Sequence, residues 1–370
     1  MEAIESHPNL ELFTLALGTH ALPRFGSTVD EIRKDGLPVH EVVLNIIEGE
    51  TPTAMCRSIG LGLLDLATIL DNHKPDIVLL CGDRFEILSA AIATVTMNIH
   101  LAHLQGGEVS GTIDESFRHA ITKLAHIHFP SNELAKEFII RMGESPESTV
   151  NVGCPSVDLL KALPKLTREE ACKNVEAIFS TTERINPAKP LLMVAQHPVT
   201  TEFEQAERDI SALLDALYEV GHQAVFLWPN VDAGASKIVS SIRRRIYEKN
   251  TLPLIMVRNI PFKDYMTLLA HADCLIGNSS SGIREACYFG TPVVNIGSRQ
   301  NGRIRGKNVL DINISDTKKI ADAISRQLAH GRYPVEELYG SGGTGRKIAD
   351  ILSKMELPPI QKSLGYLLNA

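Results

Sequence analysis

Short apolar runs rich in β-branched residues recur along the chain, with amphipathic helical patterns between them. They are LELFTLALG (10–18), DIVLLCG (76–82), HLAHL (100–104), LLMVAQ (191–196), QAVFLWP (223–229), LPLIMV (252–257), DCLIG (273–277) and TPVVNIG (291–297). Continuous rather than alternating apolar runs mark strands buried on both faces, so the pattern predicts an α/β protein of parallel sheets covered by helices. A charged, proline-punctuated stretch, KALPKLTREEACKNVEAIFSTTERINPAKP, precedes a fresh strand and sets a domain boundary near 170. The expected organisation is a Rossmann-like domain over 1–170, a second over 171–345, and a C-terminal helix in 346–370 that packs back on the first.

Ligands in such folds lie beyond the carboxyl ends of the strands. Polar residues gather at those ends here: Gly82-Asp83-Arg84, Gln105-Gly106-Gly107-Glu108, His197-Pro198, Pro229-Asn230 and Gly277-Asn278-Ser279-Ser280. The expected ligand site is a cleft between the halves. The chain opens on what reads as the middle of an amphipathic helix, MEAIESHPN, whereas a Rossmann half ordinarily begins with a strand and a glycine-rich phosphate-holding turn. A first strand of the N-terminal domain is therefore expected to be missing.

Composition narrows the class. The 370 residues, 44% hydrophobic and 22% charged, suffice for two cores. A net charge of -7, from Lys+Arg 37 against Asp+Glu 44, argues against a nucleic-acid surface and leaves room for a local basic pocket. The six cysteines are scattered without a CxxC pair, which suits a reducing cytoplasm. No apolar run is read as approaching the ~20 residues of a membrane span, and the start lacks the order of a secretion signal.

The densest chemistry lies in QGGEVSGTIDESFRHAITKLAHIH (105–128), where a glycine pair, three carboxylates, an arginine and several imidazoles sit between a strand and a helical pattern. So many ionisable groups beside a core read as an active site. Asp83 closes a strand, where it could equally cap the next helix. Asp114 and Arg118 are four apart on a predicted helix running to His128, a spacing that by itself suggests an exposed ion pair. Glu108 follows glycines that let backbone approach a ligand, or it is a surface glutamate. His119, His126 and His128 do not have zinc-ligand spacing and are expected to satisfy core hydrogen bonds. Ser279 and Ser280, in NSSSG before a predicted helix, combine hydroxyls, free N–H groups and a helix dipole into an anion cradle. The triplet Arg243-Arg244-Arg245 reads as a solvated helix face.

Several strings taken together resemble the UDP-N-acetylglucosamine 2-epimerase family, especially its hydrolysing branch, which forms N-acetylmannosamine for sialic acid synthesis. They are GDRFE (82–86), GGEVSGTIDESFRHAITKLAHIH (106–128), QHPVTT (196–201), PNVDAG (229–234), GNSSSGIREA (277–286), GTPVVNIGSRQNGR (290–303) and Tyr339-Gly340. The resemblance runs the length of the chain and implies two Rossmann-like domains of GT-B type. Two departures stand out. The G-T/S-R-A-D/E-Y loop at the start of most members is not present, and Gln105 stands where many members carry a glutamate proposed as acid/base. An amide cannot accept a proton at neutral pH, though it can position a hydroxyl or a water.

The implied reaction removes a C2 hydrogen that is not α to a carbonyl, so abstraction must be coupled to departure of UDP from C1, giving a glycal that then adds water. The resemblance assigns Asp83, Asp114, Glu108, Gln105 and Arg118 to the catalytic set, and Arg84, His197, Asn230, Ser279, Ser280, Glu285 and Arg299 to the UDP-sugar. His197 is expected at the diphosphate and Glu285 at the ribose hydroxyls. It implies no cofactor or metal, no nucleic-acid or membrane partner, and a homodimer or homotetramer in the cytoplasm. Three rivals remain: the hydrolysing 2-epimerase of UDP-2,4-diacetamido-2,4,6-trideoxyglucose on the legionaminic acid route, a GT-B glycosyltransferase, and a truncated, inactive UDP-binding chain.

Overall fold

Every described strand runs parallel to its sheet neighbours in this computed structural model. The structure describes all residues except 23–27, 48–50, 179–183, 200–201, 230–234, 249–253, 258–259, 313–315 and 368–370. The chain divides into two units: Met1–Val109 with Ile113–Asp158 and Tyr339–Ala370, and Ser110–Thr112 with Leu159–Leu338. The divisions fall after Asp158 and Leu338 rather than at 170 and 345, because Leu160 already packs in a core cluster with Leu191 and Met193, and the Tyr339 carbonyl accepts the Cys154 N–H (2.8 Å).

In the first unit, β1 (Leu15–Leu17) pairs with β2 (Glu41–Val43), and β3 (Ile77–Cys81), β4 (His100–Leu104) and β5 (Ile127–Phe129) form a second sheet in that order. One apolar core serves both sheets: Leu15, Leu17 and Val43 pack with Leu80 and Leu101 against Leu66 and Leu70 from one helix and Ala90 and Ala91 from the next. No described strand joins β1 to β3, so these five strands form two sheets.

The helix Pro52–His73 starts at an N-cap, where Thr51 accepts a hydrogen bond from the Ala54 N–H (3.2 Å), and stops at Lys74 in the left-handed region. Its inner face, Ala54, Ser58, Gly62, Leu66 and Leu70, recurs every fourth residue and is buried. With 22 residues and a mean hydropathy of 1.4 it is, by length and composition, long and apolar enough to cross a membrane, contrary to the sequence expectation. That inner face is accounted for by the core. Outward, Leu64 is 72% exposed.

The chain's last segment is tied to the first unit. Asp158 accepts hydrogen bonds from the N–H groups of Thr344 (3.1 Å) and Gly345 (2.8 Å), capping the helix Thr344–Leu352, which also packs on Glu2–Glu5. Beyond it, His100 Nε2 meets Pro358 O (2.7 Å) and His126 Nε2 meets Ile360 O (3.1 Å). The Lys362 ammonium donates to the carbonyls of Lys123 and Ala125 at the end of the helix Asp114–Leu124, and pairs with Glu144 (2.7 Å).

The second unit has one six-stranded sheet. Its members are β6 (Leu191–Ala195), β7 (Gln223–Leu227), β8 (Leu254–Val257), β9 (Cys274–Gly277), β10 (Val293–Ile296) and β11 (Val309–Ile312), in the order β8-β7-β6-β9-β10-β11. That is the doubly wound 3-2-1-4-5-6 order, whose switch point lies between β6 and β9. Along β6, Leu192 and Val194 enter one core cluster and Leu191, Met193 and Ala195 the other, which is why the run reads as continuously apolar.

Glu144 generates a pH prediction. Burial opposes its charge, yet hydrogen bonds from His128, Lys123 and Lys362 outweigh burial and bring its pKa down from 4.5 to about 2. A depressed carboxylate adds stability that is complete above pH ~4.5 and is lost as pH falls toward ~2. Glu144→Gln is expected to make the first unit less stable at neutral pH and to flatten its acid dependence by on the order of 2 kcal/mol, followed by denaturant titration with hydrogen exchange at β5. Identical pH slopes in the two proteins would remove Glu144 from the acid response.

Candidate functional site

In the first unit, β3 and β4 run in register from Ile77↔His100 to Cys81↔Leu104, so the residues that follow them emerge side by side. Arg118, buried on the helix Asp114–Leu124, donates from Nε to Asp83 Oδ2 (2.8 Å), from Nη2 to the same oxygen, and from Nη1 to the carbonyl of Glu108 (2.6 Å). Asp83 is thus gripped by an arginine 35 residues away, and the N-cap of the next helix, Phe85–Thr96, is Arg84 instead. Arg84 pairs with the buried Glu86 (2.9 Å). Asp114 is half-buried in the first turn of the Arg118 helix. Glu108 is buried, which excludes the surface reading.

The glycine pair has a packing reason. A Cβ on Gly106 would lie 2.8 Å from both His103 Nδ1 and Thr122 Oγ1, and one on Gly107, at φ +77°, would lie 2.3 Å from the Ala135 carbonyl. These glycines let the loop pass its own scaffold rather than a ligand. His103 beneath them is fully buried, bonded to Gly82 O (2.9 Å) and close to Thr122 (3.1 Å), and burial pushes its pKa down to about 4. The ring is neutral at pH 7.

Gln105 adopts φ +66°, a conformation that side chains other than glycine take rarely. Its N–H donates to Phe129 O (2.9 Å), its Nε2 to Cys154 Sγ (3.2 Å), and Cys154 in turn lies 3.1 Å from Ser156 Oγ. The helix ends at Leu124 rather than continuing to His128, because Ala125 turns extended and Ile127–Phe129 joins the sheet as β5. Two of the histidines make the core hydrogen bonds expected of them: His126 Nδ1 accepts from the Leu101 N–H (3.1 Å) and His128 bonds Glu144 (3.0 Å), whereas His119 is half-exposed and faces Glu115 one turn back (3.4 Å).

In the second unit, the switch point between β6 and β9 is organised by Asn278, which is fully buried. Its Oδ1 accepts the His197 N–H (2.7 Å) and its Nδ2 donates to the His197 carbonyl (2.8 Å). Its own carbonyl accepts from Arg299 Nη1 (3.2 Å) and Gln300 Nε2 (2.8 Å). Gly277 before it, at φ +125°, has no room for a side chain, since a Cβ would lie 2.3 Å from Ala195 O. The structure thereby brings His197 and Arg299 to Asn278, the residue that precedes Ser279 and Ser280 in the chain. Burial, followed by the neighbouring Arg299 charge, lowers the His197 pKa to about 3, so this imidazole is neutral.

The expected helix after NSSSG does not form. Ser280–Gly282 is a single 3₁₀ turn, Glu285 is a buried N-cap, and the helix that follows, Ala286–Phe289, has four residues. A helix dipole contributes little at that length, leaving hydroxyls and backbone N–H groups as the donors. Asn230 lies outside the described residues. In the arginine triplet, Arg243 stacks on Trp228 at 5.2 Å, Arg244 pairs with Glu207 (2.8 Å) and Arg245 pairs with Asp215, as befits a helix face. Sequence reasoning missed Asn278, Gln300 and Cys154 as organisers. The only signal was their place at strand ends or loops, since a buried amide or thiol has no distinctive spacing.

Residues 2–353 match the family described as UDP-N-acetylglucosamine 2-epimerase. The UDP-N,N'-diacetylbacillosamine 2-epimerase (hydrolyzing) of Legionella pneumophila is 32% identical over 357 residues, 96% of this chain and 92% of that protein. A UDP-N-acetylglucosamine 2-epimerase of Neisseria meningitidis serogroup B is 31% identical over 356 residues, 95% of this chain and 90% of its own. The crystal structure of UDP-GlcNAc 2-epimerase from Neisseria meningitidis bound to UDP-GlcNAc is similar in fold, with a TM-score of 0.76 at 15% identity, covering 95% of this chain and 94% of that one.

The Asn278 carboxamide yields a prediction. Asn278→Ala removes both bonds to the His197 backbone and leaves that half-buried donor and acceptor without the carboxamide, which should cost about 1–2 kcal/mol of stability by thermal denaturation. Asn278→Asp, which sets a buried carboxylate oxygen against the His197 carbonyl, should cost at least as much. An alanine variant melting with the wild type would show that the carboxamide organises nothing.

Proposed function

The chain belongs to the UDP-N-acetylglucosamine 2-epimerase family, and on that premise we propose that it acts on UDP-N-acetylglucosamine, releasing UDP and N-acetylmannosamine for sialic acid-type sugar synthesis in the cytoplasm. That it is an enzyme of the hydrolysing UDP-sugar 2-epimerase type follows from the family and its relatives. The observation that carries the site assignment is the buried Arg118, which presents Asp83 beside Glu108 and on the helix that begins at Asp114. The Asp83 carboxylate, the Glu108 backbone and the helix that begins at Asp114 thus meet at one guanidinium, which supports assigning the three residues to one site. In this reading they divide the work of removing the C2 proton and of returning one after C–O cleavage, and Gln105 positions the water that adds at C1.

Departure of UDP places negative charge on the β-phosphate, and the second unit supplies the stabilising donors: Arg299, the hydroxyls and N–H groups of Ser279 and Ser280, and neutral His197 as a hydrogen-bond donor. Arg84 and Asn230 are assigned to the UDP-sugar, and the buried Glu285 to the ribose hydroxyls. A second reading, UDP-2,4-diacetamido-2,4,6-trideoxyglucose as substrate, is favoured by the Legionella relative. Comparing turnover of the two UDP-sugars decides between them, and faster release of UDP from the diacetamido sugar would replace the first reading with the second.

Asp83→Asn and Asp114→Asn are expected to abolish UDP release while UDP affinity stays within about twofold, because neither side chain is assigned to the nucleotide. Turnover in deuterium oxide should place deuterium at C2 of the product. Near-normal turnover in either variant removes that residue from the chemistry, and product without the label removes the glycal route.

Assembly is the remaining expectation. We propose a homodimer formed through the first unit, supported by the exposed Leu64 on the apolar helix Pro52–His73 and by exposed Leu44 nearby in sequence. Light scattering at micromolar concentration should return at least twice the 40.5 kDa chain mass, and Leu64→Lys should shift it toward the monomer. A monomeric wild type would refute the proposal.

A further inference from the structure

Behind the serine loop, the second unit lines up three hydroxyls. Tyr265, on the helix Phe262–His271, is 9% exposed, and its oxygen lies 2.6 Å from Ser281 Oγ. Ser281, also buried, lies with its Oγ 2.9 Å from Ser279 Oγ. Ser279 accepts the Ser281 N–H as well (3.4 Å), and it is half-exposed where its two neighbours are buried. The row therefore runs from the core to the surface of the anion-binding loop.

A hydroxyl has one proton and two lone pairs, so the row can pass its protons either way. The direction that presents a proton at the surface starts from the phenol: Tyr265 donates to Ser281 and Ser281 to Ser279. In that direction the N–H and O–H of Ser281 fill both lone pairs of Ser279, which has only its own proton left to offer outward. Burial raises the Tyr265 pKa to about 12, so the phenol keeps that proton across the neutral range. A phenylalanine would fill the same volume, which leaves the hydroxyl with a task other than packing.

We propose that Tyr265 is a positioning residue of the nucleotide site: acting through Ser281, it orients Ser279 as an outward donor to an anionic oxygen of a nucleoside diphosphate. The proposal rests on the nucleotide reading of the second unit given above. Tyr265 does not itself meet the ligand. Its effect is to keep Ser279 from turning its proton inward and offering a lone pair to a phosphate, which would repel it.

The test is calorimetric titration of the full chain with UDP, beside steady-state kinetics and melting curves. Tyr265→Phe and Ser279→Ala are each expected to weaken UDP binding by about three- to tenfold, the range for one hydrogen bond. Because both changes act on the same donor, the double variant should bind no more weakly than Ser279→Ala alone. In turnover, Tyr265→Phe should raise KM and leave kcat nearly unchanged, a split that simple loss of structure would not give. Ser281→Ala should reproduce the Tyr265→Phe loss and Ser281→Thr, which keeps the hydroxyl, should restore binding, so the proposal stands or falls even if Tyr265→Phe folds poorly. Wild-type affinity in Tyr265→Phe, or additive losses in the double variant, would overturn it. A wild-type chain that fails to bind UDP at all would overturn the nucleotide reading first, and this proposal with it.

Discussion

A guanidinium shut away from water must place its N–H groups on protein acceptors or carry a desolvation cost of several kcal/mol. Arg118 is in that position, and its bonds draw three segments to one point: Asp83 after β3, the Glu108 carbonyl after β4, and its own helix. Much of the surrounding sequence follows from that demand. The loop can reach Arg118 only by passing close over His103, Thr122 and Ala135, which is what excludes side chains at Gly106 and Gly107. His103 stays neutral beneath it and adds no charge to the pair.

The second unit solves the same kind of problem without charge. Asn278 offers a donor and an acceptor from one buried, uncharged group, so it can hold both sides of the His197 peptide at little electrostatic cost. With His197 also neutral, Arg299 brings a cation to the Asn278 carbonyl. Charge fixes the geometry around Arg118, and a neutral carboxamide fixes it around His197.

Much of this was legible in the chain. HLAHL became β4 over its full length, and the other long apolar runs became strands trimmed at their ends, because a strand covered on both faces must be apolar throughout. The short strands β2, β5 and β11 were not legible. EVV and VLDI carry acidic residues at sheet margins, and IHF follows a helical pattern so closely that the period cannot separate them. The candidate residues were found at strand ends, but their partners were not. The grip of Arg118 on Asp83 joins residues 35 apart, which no local spacing shows. The NSSSG turn misled in the other direction: the serines suggested a capped helix, yet Glu285 is buried and the chain makes one 3₁₀ turn before a very short helix.

Gln105 is held at φ +66° by the strand end and by its bond to Phe129, a strain on the order of 1 kcal/mol that belongs to the backbone and not to the amide. Glutamate has the same shape and would inherit the same strain. Its neighbour Cys154 accepts a hydrogen bond from the amide now, and a thiol can also donate one, so the partner need not move when the nitrogen is exchanged for oxygen. This position therefore works as an interchangeable fitting. Lineages of this fold can gain or lose a proton-carrying group there by one substitution, without refolding around it, and acid strength at the site can drift while the architecture that holds it stays still.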